Sequence, residues 1–427
     1  MMRLMQRKDL ANILLLLLYS SLLGVMLLGP TDSAPGGAVR LAFVVIFFLP
    51  LFIFRKSYVP AVLFCFLTVM YNSPVYCPLP YTITIYIAIL FIGLFLCFKK
   101  HSIPIVFILL LSLMCIVDLV TTWKLSPVEQ VMIIMLLLVF YMDFKDKDSI
   151  ALFMNSFCIV SLTLSIFYFL NFQDYLVTFA GEESGMERSG WIDPNYFSSV
   201  IGMGVLVAIY LLLNNNENGL LHKCFLIVTI GISFAAQITL ASRGALLAIL
   251  VTVSFLMIKM KIKTKYKVLF LLAAVGGIYF LYVNNYFELL LFRLTDEGDI
   301  NGGNGRTAIW QRKLDGYSNF NPIEMLFGIG LEPGLKLGYN EPRGFHNDFV
   351  GFLCSYGLVG LGLFLYTLYF PVHRSSKSER RIVTIFILYL LIVCFSLEPF
   401  LNGLIAYFAF YMLIVAMAEH SRLRQVK

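Results

Sequence analysis

The sequence predicts an all-α protein, a polytopic bundle of about 12–14 transmembrane helices with a long extracytoplasmic loop before the third-last span. Three observations carry this expectation. Of the 427 residues, 59% are hydrophobic and 13% are charged, whereas a soluble domain carries about 25% charged residues. The apolar residues come as long blocks, such as Asn12 to Leu28 and Leu41 to Phe54, without strand alternation. Lysine and arginine, finally, gather in alternate connections between those blocks. Apolar blocks of roughly 17–25 residues match a bilayer core, where the backbone must satisfy its own hydrogen bonds as helix. The strands of a membrane barrel would be about ten residues long with a dyad alternation, which is absent.

The spans run in order over about 10–29, 38–54, 57–72, 81–98, 103–120, 128–142, 150–171, 195–213, 223–240, 244–260, 267–284, 347–370, 382–398 and 402–418. Arg3, Arg7 and Lys8 precede the first block as they would precede a signal peptide. The block from Leu10 to Leu28 is long for a signal core and no small-residue cleavage site follows, so it reads as a retained span. Seven of the eight cysteines lie in apolar blocks and Cys77 lies in a loop. With no CxxC pair or Cys/His cluster, each reads as a small buried hydrophobe, and neither a metal site nor a disulfide framework is implied.

One set of loops holds Arg55/Lys56, Lys99/Lys100, Lys145/Lys147, Lys223, the run Lys259 to Lys267, Arg374 to Arg381 and Arg422 to Lys427, most of the 32 lysines and arginines with those at the N-terminus. The positive-inside rule puts that set, and both termini, in the cytoplasm. The net charge of +7 then reflects topology, and no nucleic-acid partner is needed to explain it. Two opposite loops exceed ordinary connector length, 171–193 and 285–346. The longer has amphipathic order, with Ala308, Ile309, Trp310 and Leu314 near helical spacing and Ile323 to Leu326 following Pro322. It is expected to hold an interfacial or docked helix.

Three spans begin on polar triplets: Asp193-Pro194-Asn195, Ser242-Arg243-Gly244 and His346-Asn347-Asp348. Each is a helix start, capped by Asp193 in the first, which has proline at N1, by Ser242 in the second, and by Asn347 or Asp348 in the third. Topology adds a second reading, because all three helices run from outside to inside. Their N-termini then face one surface, and free N–H groups beside arginines favour phosphate or diphosphate. Arg188, Arg243 and Arg306 sit in such settings, whereas Arg293, Arg312 and Arg343 read equally well as headgroup anchors. His346 either bonds a carbonyl or takes a proton from a hydroxyl acceptor; the other four histidines fall in or near cytoplasmic loops. Glu182, Glu183, Glu187, Asp296, Glu297 and Asp299 form no metal motif, and no phosphate-binding GxxxxGK[ST] loop is present.

At these residues the sequence resembles the O-antigen ligase/polymerase superfamily of bacterial membrane glycosyltransferases. The carriers are Arg188 to Phe197 with its Asp193-Pro194-Asn195, Thr239 to Leu247 with Ser242-Arg243-Gly244, and Arg306 to Trp310 followed by Phe327 to Gly330. The most specific is His346-Asn347 followed at the family's spacing by Gly357 and Gly360. The resemblance covers about Arg188 to Gly360, so that the chain divides into N-terminal spans 1–170, a ligase/polymerase-like core 171–370, and C-terminal spans and tail 371–427.

What the resemblance implies is a GT-C-like fold and metal-independent transfer, without a cofactor, of a glycan from undecaprenyl diphosphate to a glycan or lipid acceptor. Catalysis would fall to His346, Arg243 and Arg306. The diphosphate and glycan would be bound by Arg188, Asp193, Asn195, Ser242 and Asn347. The setting would be the bacterial inner membrane, with the lipid bilayer and other polysaccharide-assembly proteins as partners. Polymerase and ligase share these motifs; the Asp-Pro-Asn triplet leans toward the polymerase and the histidine signature toward the ligase. A flippase or transporter of lipid-linked oligosaccharide is the non-enzymatic alternative, and it would call for charges near the bilayer midplane or broken helices in two repeats.

Overall fold

The computed structural model describes residues 105–126, 146–170, 194–214, 219–240, 242–259, 305–340 and 342–425, with a few isolated positions besides. The spans expected before residue 103, most of 128–142 and of 267–284, and the loop 171–193 with Arg188 and Asp193, lie outside the described residues, as does Arg293. The described segments are helical, with no strand among them. In chain order they are α1 (Ile105–Thr122), α2 (Lys147–Leu170), α3 (Pro194–Asn214), α4 (Leu220–Thr239) and α5 (Arg243–Lys259). There follow α6 (Arg306–Ser318), α7 (Pro322–Phe327), α8 (Leu331–Lys336), α9 (Asp348–Arg374), α10 (Arg380–Ser396) and α11 (Ile405–Gln425). Eight of these answer to expected spans, each to within a few residues except at the C-terminus of α11. Five of them, α1 to α4 and α9, are long and apolar enough to cross a membrane. The fold is therefore an all-α polytopic helical one.

The described helices fall into two compact units, α2 to α5 in one, α1 and α6 to α11 in the other. In the first unit α3 is the central helix, packed on α2, α4 and α5. Its side chains are buried almost all round, Ile201, Met203, Leu206 and Ala208 among them. Lipid is as apolar as leucine and gives helices no hydrophobic reason to associate, so small and hydroxylated residues supply the contact. Ser161 of α2 donates to the Ile201 carbonyl of α3 at 2.8 Å, and its Oγ lies 2.9 Å from that of Ser233 on α4. Leu220, Leu221, Ile227 and Val228 of α4 stay exposed, as a lipid-facing stripe would.

In the second unit α9 packs against α1, α6, α7, α8, α10 and α11. Ten residues into this helix the backbone breaks at Gly357, with φ 67° and ψ −168°. Only glycine occupies that region without strain. The break matters for packing as well. A Cβ on Gly357 would lie 2.4 Å from the backbone carbonyl carbon of Leu326 in α7, and the Ser355 carbonyl accepts from the N–H of Gly330 at 2.8 Å. The segment expected to dock therefore does so, with α7 seated on the break. Asn321 and Glu324 close a capping box at the start of α7, and Pro322 opens its first turn.

A buried cluster fastens α1 to the same place. Asp118 accepts from the Leu331 N–H that opens α8, at 2.9 Å, and from the Tyr356 hydroxyl at 3.2 Å. Tyr356 also reaches Glu129 at 3.1 Å, and Ser126 donates to the same carboxylate. These bonds hold α8 and the broken turn of α9 against the end of α1. Gly357→Ala should thus lower stability by about 2 kcal/mol or more, from a forbidden φ/ψ pair and an overpacked contact. Thermal unfolding in detergent reads this directly, and an unchanged midpoint would contradict the packing described.

Candidate functional site

The first unit brings together two of the three polar helix starts. Pro194 is the first residue of α3 and Arg243 the first of α5. The Ser242 carbonyl accepts the first helical bond of α5, from Leu246 at 3.0 Å, which is the N-cap position. Its hydroxyl donates to Asn195 Oδ1 at 3.1 Å, joining the two helix starts. One turn further along α3, the Ser198 carbonyl accepts from the Gln237 amide of α4 at 2.9 Å. Asn195 and Ser242 are buried, and Arg243 is half-buried at this edge.

The second unit holds the third start. Asn347 caps α9, its side chain accepting from the N–H groups of Phe349 and Val350 at 2.9 and 3.2 Å. His346 before it has φ 50°, a left-handed conformation uncommon outside glycine, and its side chain is half-buried. The surroundings impose this conformation from several sides. Trp310 of α6 donates its indole N–H to the Phe345 carbonyl at 2.9 Å. Glu398, in the connection between α10 and α11 and only 3% exposed, accepts from the backbone N–H groups of Phe345 and His346. Asp348 works the other way, accepting from the N–H groups of Phe400 and Leu401 at 3.2 and 3.1 Å while its own N–H donates to the Leu397 carbonyl.

Cations line the same place from α6. Arg306 donates to the Ser396 carbonyl at 2.7 Å. Lys313 is fully buried and donates to the last carbonyls of α8, Gly334 at 2.9 Å and Leu335 at 2.6 Å. Its ammonium also lies over the Phe345 ring, 4.8 Å from the centroid. Burial pulls the Lys313 ammonium down to about 8. Burial likewise pushes the Glu398 carboxyl up to about 7, against the two N–H donors and the cations Lys313 and Arg306, which favour its charge.

Several features escaped the sequence reading. Ala308 and Leu314, grouped there with Ile309 and Trp310, are exposed, and the inward stripe of α6 is Arg306, Ile309, Trp310 and Lys313. That i, i+3, i+4, i+7 pattern is legible in the sequence only if a lysine is allowed to be buried. Glu398 stands at the end of an apolar block, where nothing local marks its role. Arg312 and Arg343 both lie over the Tyr339 ring, 5.4 and 5.2 Å from its centroid. Among the described residues no group of His, Cys, Asp and Glu is arranged to hold a metal ion.

Fold and site together define an integral membrane protein of the helical class, with polar side chains and arginines gathered where its helices begin. Residues 228–365, about a third of the chain, match the family described as O-antigen ligase. The match supports the O-antigen ligase/polymerase superfamily and with it a role in cell-surface polysaccharide biosynthesis. It includes Ser242, Arg243, Arg306, His346, Asn347, Gly357 and Gly360, and ends before Glu398. Comparison with curated proteins finds none that matches.

The raised Glu398 carboxyl has a consequence for stability. Between its ordinary 4.5 and about 7, the folded chain binds this proton more tightly than the unfolded chain does. Its contribution to stability is therefore greatest at the acid end and falls as pH rises through 7. Glu398→Gln should flatten that part of the stability profile, measured by thermal unfolding between pH 4.5 and 7; an unaltered slope would place the titration elsewhere.

Proposed function

We propose that this protein transfers a glycan from undecaprenyl diphosphate to a hydroxyl acceptor at the outer face of the bacterial inner membrane, acting as a repeat-unit polymerase. The observation that carries the reading is the His346 loop, held in a left-handed turn at the head of α9 beside a cationic α6, within the segment that matches the family. His346 takes the proton of the acceptor hydroxyl as its oxygen bonds the anomeric carbon. The bond from that carbon to the diphosphate oxygen breaks, and undecaprenyl diphosphate leaves with the electron pair. Arg243 and Arg306 stabilise the charge that grows on it, and a direct displacement inverts the anomeric centre. Arg188, Asp193, Asn195, Ser242 and Asn347 bind or frame the diphosphate and glycan. Transfer of this kind calls on fixed charge and positioning, with no step that needs a metal or cofactor. The fold is read as GT-C-like, with both termini cytoplasmic and partners drawn from the polysaccharide-assembly proteins of the same membrane.

Ligase activity, attaching the finished glycan to lipid A-core or another terminal acceptor, is the second reading, favoured by the description of the matching family. The glycan profile of a deletion strain separates the two. Single-repeat products mark loss of a polymerase, and long lipid-linked chains left unattached mark loss of a ligase.

His346→Ala and Arg243→Ala should each abolish transfer by the purified protein while leaving its abundance in the membrane intact. Arg312→Ala, at an exposed position, should be mild. Full activity in the first two variants would remove the assignment. Transfer should also survive chelation of divalent cations, and its loss would point to a metal-assisted reaction. Translocation of lipid-linked substrate without transfer would favour the flippase.

A further inference from the structure

We infer that Glu398 is a positioning residue for His346, its buried carboxylate fixing the imidazole for proton acceptance through the backbone N–H groups of Phe345 and His346. The inference rests on the transfer reading above and adds to it a residue beyond the segment that matches the family.

The geometry singles out this role from a general one. The connection between α10 and α11 is already fastened to α9 by Asp348, which accepts from Phe400 and Leu401 and donates its N–H to Leu397. Glu398 adds a second tie between the same segments. It reaches in the opposite direction, to the two residues whose backbone sets where His346 points. His346 has φ 50°, and a non-glycine residue stays in that region only when its surroundings over-determine it. The approach is close enough to dictate a neighbour. A Cβ on Gly344 would lie 2.3 Å from Glu398 Oε1, so the carboxylate fills the space that any larger residue would take.

A carboxylate suits the task because two N–H donors need acceptors on one side chain, and both of its oxygens accept. Glutamine of the same shape keeps one accepting oxygen and loses the charge that strengthens both bonds. The charged groups around Glu398 are Arg306 and Lys313 of α6 and Asp348 of α9.

The test compares the full-length chain with Glu398→Gln, Glu398→Asp, Gly344→Ala and His346→Ala, each purified in detergent. The probe is an undecaprenyl-diphosphate-linked oligosaccharide, and kcat and KM are followed. Glu398→Gln should lower kcat about 10–100-fold with KM within about twofold, the scale of a small misplacement of a catalytic group. Glu398→Asp should recover part of the rate. Gly344→Ala displaces the same carboxylate with Glu398 intact and should reproduce the loss of kcat, which serves if Glu398→Gln does not fold. Wild-type kcat in Glu398→Gln and Gly344→Ala beside an inactive His346→Ala would overturn the inference. Full activity in His346→Ala would instead overturn the transfer reading itself.

Discussion

Residues 344–348 and 396–401 are far apart in sequence and hold one another through a reciprocal exchange. Asp348, on the first segment, accepts from the backbone of Phe400 and Leu401 on the second. Glu398, on the second, accepts from the backbone of Phe345 and His346 on the first. Arg306 adds a bond to the Ser396 carbonyl and Trp310 one to the Phe345 carbonyl. These bonds form at and just beyond helix ends, where part of the backbone N–H and C=O has no partner within its own helix. At the edge of a bilayer such groups cost several kcal/mol each when unpaired. The exchange removes that cost from both segments at once and leaves a stiff platform at the head of α9.

The rest of the second unit follows from this platform and from the break in α9. A helix broken at Gly357 exposes carbonyls in mid-course, and backbone of that kind is tolerated only where protein covers it. The 322–336 segment provides the cover. Gly330 donates to the Ser355 carbonyl, and Asp118 caps α8 from the end of α1. Lys313 takes up the last carbonyls of α8 and presents its charge to the Phe345 ring from below. The long loop thus serves α9 twice, covering its break through α7 and α8 and bracing its N-terminus through α6.

The spans were legible because hydrophobic blocks of bilayer length allow one regular structure, and three of them, α3, α5 and α9, begin where the caps and the proline stand. The polar starts were legible for the same reason: Ser242 stands at an N-cap and Asn347 caps its helix. Glu398 and Lys313 were not, because each acts through backbone groups distant in sequence, and no local pattern marks a residue whose partners lie 53 or 21 positions away. Asp118 escaped for a related reason. Lone acids at span ends are ordinary, and only the fold shows its partner Leu331 to be 213 positions on.

The burial of Glu398 bears on how the platform works. A carboxylate held at about 7 is a poor choice for stability, since its charged form is opposed by desolvation at the pH where cells live. An apolar side chain would fill the volume at less cost, but it would leave the N–H groups of Phe345 and His346 without an acceptor. The arrangement gives up some stability and gains a fixed backbone under His346. Stability relinquished at one point is what keeps His346 in a sparsely populated conformation. The arrangement is centred on His346 and on Arg306, whose guanidinium is held by the last residue of α10. Nothing in the packing of α9 alone would require it.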